Sequence, residues 1–170
     1  MLDRLSRNLD RISCYFMVTA LAVMVAVVFA QVIWRYVFQA SIFWSEELSR
    51  YLMVWATMFA AGVCLRRGAH MAVRFVHDLF PARLRQATSL IVYAAILVFL
   101  AVVFWYGLDL MRRTWDQISP TLFLRMGLVY AAIPLGALLM AVHDLALLQK
   151  IWRHGGLDAA VSEAEVEKEA

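Results

Sequence analysis

The residues able to do polar chemistry are few and gathered at particular places. The stretch RYVFQASIFWSEELSRYLMVW, residues 35 to 55, carries Arg35, Glu46, Glu47 and Arg50 between two strongly apolar runs. Carboxylates and guanidinium groups so placed can pair with one another, and the pairing is stronger at an interface of intermediate dielectric than in water. His70 and His143 are the other candidates. Two histidines on different helices could ligate a haem, as in membrane-anchor subunits of the cytochrome b type. The plainer reading makes His70 an interfacial hydrogen-bonding residue and His143 a helix-end residue, and it is preferred because Arg66-Arg67-Gly68-Ala69-His70 reads as a surface connection. Cys14 and Cys64 are far apart, with no CxxC and no nearby histidine pair, so they read as small apolar residues rather than a disulfide or metal site. The sequence holds no HExxH, no GxSxG and no Gly-rich phosphate loop. It predicts no enzyme, no cofactor and no metal.

The elements that must position these groups follow from hydrophobicity. Of 170 residues, 64% are hydrophobic and 17% charged, whereas a soluble domain is nearer half apolar and a quarter charged. Such an excess suits a chain whose main solvent is lipid. Ile12 to Trp34 is free of charge and would be about 34 Å long as a helix, against a hydrocarbon core of ~30 Å. Gln86 to Leu108 is a second such run, and Met126 to Val142 a third that Ala146 to Leu148 prolong. Tyr51 to Leu65 is short, so its helix must start near Ser41 or Ser45, which puts Glu46, Glu47 and Arg50 on its first turns. The expected fold is an all-α integral membrane protein with four transmembrane helices, at about residues 12–35, 43–66, 82–110 and 126–150. The first run is too long for a cleaved signal core of ~7–15 residues. Met71 to Phe80 has helical periodicity and predicts a short amphipathic helix in the interface, with Pro81 opening the next helix. Pro134 should bend the fourth helix. Residues 1–153 form the membrane domain on this reading, and the acidic segment 154–170 a mobile cytoplasmic tail.

Charge sets the expected orientation. Most of the 16 lysines and arginines fall in the N-terminal segment, the second connection and the C-terminal segment. The positive-inside rule then places both termini in the cytoplasm. Trp34, Tyr36, Trp44, Tyr106 and Trp115 would lie at the outer interface, Tyr15 and Trp152 at the inner one. The net charge of +3 is thus a topology signal, and no basic recognition motif points to nucleic acid. Glu46, Glu47, Asp109 and Asp116 all fall near the outer surface, so no carboxylate is expected deep in the bilayer, as a self-contained exporter would need. Small residues recur at four-residue spacing: Ala22, Ala26 and Ala30; Ala56, Ala60 and Cys64; Ala132 and Gly136. Such faces let helices approach closely in lipid.

In order along the chain, Arg35-Tyr36-Val37-Phe38, Trp44-Ser45-Glu46-Glu47-Leu48 with Arg50 and Trp55, Arg66-Arg67-Gly68-Ala69-His70, and Tyr130-Ala131-Ala132-Ile133-Pro134-Leu135-Gly136 resemble the small membrane subunit of tripartite TRAP transporters, the DctQ-like family. The resemblance covers about residues 10 to 150. Ala60, where the family often has glycine, and Arg74, where it often has an acidic residue, depart from the pattern. The resemblance implies a multi-pass protein of the bacterial inner membrane, in a sodium-coupled system for organic acids. Its partners would be a large TRAP membrane subunit, which holds the substrate and sodium sites, and a periplasmic substrate-binding protein. This chain would be the scaffold beside the large subunit and part of the docking surface. Arg35, Tyr36, Trp44, Glu46, Glu47, Arg50, His70 and Pro134 would then serve at subunit interfaces or as an internal clasp, with Arg35 paired to Glu46 or Glu47.

Overall fold

The computed structural model describes residues 2–78 and 82–154, with side chains over 6–66, 87–149 and 151–152. All regular structure there is helical: α1 (Leu2–Val37), α2 (Ser45–Asp78), α3 (Ala82–Arg113), α4 (Met126–Tyr130) and α5 (Ala132–His154). Four stretches are long and apolar enough to cross a membrane: Ser6–Val37, Ser45–Arg66, Ala87–Arg113 and Met126–Gln149, the last made of α4 and α5 together. Residues 71–78 are helical, as their periodicity predicts, but they prolong α2 without a break. Pro81 and the tail from 155 onward lie outside the described residues.

The helix ends have local causes. α2 starts at Ser45, whose hydroxyl and amide both turn back to the Ile42 carbonyl at 2.6 and 3.3 Å. Glu46 and Glu47 occupy its first turn, where the helix dipole favours negative charge. α1 ends as Gln39 takes a left-handed φ of 51°, which lets the Ala40 amide reach back to the Trp34 carbonyl. The fourth span is interrupted at Ala131, beside Tyr130. Tyr130 is the residue whose carbonyl would face the Pro134 ring, which has no N–H to offer and crowds that oxygen. The expected bend therefore takes the form of a break one turn before the proline.

α5 is the centre of the arrangement: it packs on α2 on one side and α3 on the other, and α1 lies against α2. Glycines let these axes come close. A Cβ on Gly62 of α2 would stand 2.8 Å from Leu139 Cδ2, and one on Gly136 of α5 would stand 2.8 Å from Met58 Cβ. Gly107 of α3 faces Ile133 and Pro134 of α5 in the same way, at 2.9 and 3.1 Å. Ala56, Ala132 and Gly136 are buried in this packing, whereas Ala22, Ala26 and Ala30 of α1 face outward. α1 also exposes Val18, Val25, Phe29 and Val32, the surface expected of a helix bathed in lipid or covered by another membrane chain.

Candidate functional site

Polar side chains collect at the two ends of the helices. At one end Glu47, only 8% exposed, reaches from the first turn of α2 to the hairpin between α3 and α4. Its Oε2 accepts from the backbone N–H of Thr121 at 2.9 Å and of Leu122 at 3.1 Å, and from the Thr121 hydroxyl. Its Oε1 accepts from the Tyr51 hydroxyl one turn further along α2, and the same phenol lies 3.2 Å from Met126 Sδ. A carboxylate with donors on both oxygens is well satisfied, and hydrogen bonds to a charged acceptor are the stronger kind.

That hairpin is built to present the two amides. Ser119 N–H donates to the Leu124 carbonyl at 2.8 Å, and Ser119 Oγ accepts from Leu124 N–H at 3.1 Å. Met126 N–H closes on the Gln117 carbonyl at 2.8 Å. Phe123 pays for the tight turn with a left-handed φ of 53°, unusual for a bulky residue, and its ring is 77% exposed. The Arg125 guanidinium lies over the Trp115 ring, 5.7 Å from its centre.

The expected pairing of Arg35 with Glu46 or Glu47 is not what the structure forms. Among the described residues neither carboxylate lies within ion-pair distance of Arg35. Glu47 turns inward to the hairpin, and Glu46 faces Gln31 of α1, whose Nε2 is 3.5 Å from its Oε1. The physical reason is that two backbone amides, a hydroxyl and a phenol are held in place by the fold, while a long exposed arginine must lose side-chain entropy to reach the same oxygens. Arg35, Tyr36, Trp44 and Arg50 are all exposed. Pro134 is buried at the α3–α5 contact. His70 lies within α2, with its side chain outside the described ones.

The other end holds a polar cluster that hydrophobicity did not reveal. Ser6, Asp10 and Ser13 of α1, Ser89 and Tyr93 of α3, and His143 and Asp144 of α5 are buried. Ser6 Oγ and His143 Nδ1 are 2.7 Å apart. Arg66 of α2 donates to the Ser6 carbonyl at 3.1 Å and lies 3.5 Å from Asp10. One arginine and one histidine thereby tie α1 to α2 and α5. His143 is no helix-end residue: α5 continues to His154. Asp144, near the end of the fourth span, is fully buried among the chain's own helices. The apolar run stops at Val142, but the helix and its packing do not.

The geometry defines a four-span membrane protein in which Glu47, Ser6, His143 and Arg66 tie its own elements together. The model of the DctQ component of the tripartite ATP-independent periplasmic transporters matches residues 24–154, and the chain belongs to that family. It is 29% identical over 138 residues to the isethionate TRAP transporter permease protein DctMQ of Oleidesulfovibrio alaskensis, covering 76% of this chain but 22% of that protein. It is 25% identical over 134 residues to a putative TRAP transporter small permease protein of Haemophilus influenzae, covering 79% of this chain and 81% of the relative. The sialic acid TRAP transporter permease protein SiaT of Haemophilus influenzae is 29% identical over 118 residues, covering 67% of this chain and 18% of SiaT. The family selects a transporter subunit over the cytochrome-type anchor.

Proposed function

We propose that this chain is the small permease subunit of a sodium-coupled, binding-protein-dependent transporter for organic acids, and that it works as scaffold beside a large transport subunit. The observation that carries the reading is the family match over residues 24–154, seen together with relatives named as permease proteins of which this chain spans only 22% and 18%. In such relatives the matching segment is joined to a much longer chain, which is how a small subunit and its large partner would look when fused. Relatives named for C4-dicarboxylate and sialic acid support an acidic substrate.

Both termini are cytoplasmic on this reading, by the distribution of basic residues. The Glu47 end then faces the periplasm, where the α3–α4 hairpin with exposed Phe123 joins Arg35, Tyr36, Trp44, Glu46 and Arg50 as a surface for the large subunit and the periplasmic binding protein. The helical extension of α2 up to Asp78 lies at the cytoplasmic interface, and residues 154–170 form the tail there. Glu47 serves inside this chain as the clasp that fixes the hairpin's shape. The test is co-expression with a large permease encoded beside it, followed by detergent purification through a tag on this chain. Recovery of a two-subunit complex supports the reading. Transport by this chain alone in liposomes would replace it with a self-contained carrier.

A further inference from the structure

We propose that Asp144 and Tyr93 form a site inside this subunit for a single positive charge, a proton or an alkali cation. Asp144 and Tyr93 are both 0% exposed. Among the described residues neither carboxylate oxygen of Asp144 meets a hydrogen-bond partner, and the same holds for the Tyr93 hydroxyl. The two belong together. Tyr93 of α3 packs against Leu147 and Ile151 of α5, and Asp144 precedes them on the same face at helical spacing. Asp144 is also the charged group that acts on the Tyr93 phenol. Leu90, Val92, Ile96 and Leu148 pack against the cluster that Tyr93 forms with Leu147 and Ile151.

An isolated carboxylate in such a setting is costly even after the protein relaxes. The chain's own helices enclose Asp144, so a partner subunit cannot supply the missing charge without moving them. Among the described residues, Arg66 of α2 is turned to Asp10 and the Ser6 carbonyl of α1. His143, next along α5, turns its Nδ1 to Ser6 and leaves its buried Nε2 without a partner among the described residues. A small monocation is the kind of charge that fits so enclosed a carboxylate. A phenol oxygen beside a carboxylate can donate to a protonated acid's carbonyl or complete an oxygen shell around an alkali ion. This site is separate from the Glu47 clasp and independent of which substrate the transporter carries.

The experiment uses the full chain purified into lipid nanodiscs, with two readouts at matched ionic strength. Infrared difference spectra in choline chloride look for the carbonyl stretch of a buried carboxylic acid. Thermal unfolding compares sodium chloride with choline chloride. A proton as occupant gives the carboxylic-acid band in the wild type, its loss in Asp144→Asn and its shift in Tyr93→Phe. Sodium as occupant gives an upward sodium-specific shift in Tm that Asp144→Asn abolishes and Tyr93→Phe weakens. A folded wild type with neither signal overturns the proposal, as does a signal that survives in Asp144→Asn. If Asp144→Asn does not fold, Tyr93→Phe decides: it keeps the carboxylate, and an unchanged band and unchanged sodium shift overturn the site.

Discussion

Replacing Gly107 by alanine should destabilise the chain, whereas the same change at Gly62 should not. Both glycines lie well inside helices, so each gains about 1 kcal/mol of helix propensity on becoming alanine. The difference therefore reports packing alone. At Gly107 the new methyl would stand 2.9 Å from Ile133 Cγ2, 3.1 Å from Pro134 Cδ and 3.2 Å from the Pro134 nitrogen. A proline ring and a backbone nitrogen cannot rotate aside, so α3 and α5 must separate, at an overpacking cost of ~1–3 kcal/mol. At Gly62 the nearest atom, at 2.8 Å, is Leu139 Cδ2, the end of a side chain with other rotamers available. The expected gap between the two variants is about 1–3 kcal/mol, or roughly 2–10 °C in Tm for a chain of this size. Thermal unfolding of both variants in one detergent measures it. Gly107→Ala as stable as Gly62→Ala would refute the close fit of α3 against the proline-broken fourth span.

Three further outcomes are expected. Glu47→Ala should lower Tm and speed proteolytic nicking between residues 118 and 125, with Glu47→Gln intermediate because its amide keeps one acceptor; unchanged nicking would mean that the hairpin holds its own shape. Arg35→Ala should leave Tm unchanged and show no coupling to Glu47→Ala in a double-mutant cycle, since the structure gives Glu47 other partners. Ser6→Ala and His143→Ala should each cost about 1–3 kcal/mol as a buried polar group loses its partner, and the double variant should cost less than the sum; strict additivity would remove the 2.7 Å contact between them from the account.

What the sequence made legible is what lipid demands. Four apolar stretches announce themselves by length and lack of charge, and Ser45 and Pro134 mark a helix start and a break through local chemistry. The early start of α1 at Leu2 was hidden because its packed face is polar: Ser6, Asp10 and Ser13 are buried among it, so hydrophobicity reads the segment as a tail. For Glu47 the sequence reading offered Arg35 as a partner, and the structure gives it others. Its main donors are the backbone amides of Thr121 and Leu122, and an amide leaves no trace in residue type. Opposite charges close in sequence are a visible signal, and here it misled. The sequence carries the fourth span past Asp144 to Leu148, but the burial of that carboxylate shows only in the fold, where Tyr93 of α3 packs against Leu147 and Ile151 beyond it.

The proposed scaffold role requires that this chain act only with a larger membrane partner. Uptake of labelled organic acid by proteoliposomes tests it most directly, with the chain alone, the large permease alone, and both together, each with saturating binding protein and a sodium gradient. Uptake is expected only when both chains are present, with the preferred acid unchanged by Glu46→Ala, Glu47→Ala or Arg50→Ala. Uptake by this chain alone, or a change of preferred acid in any of those variants, would contradict it.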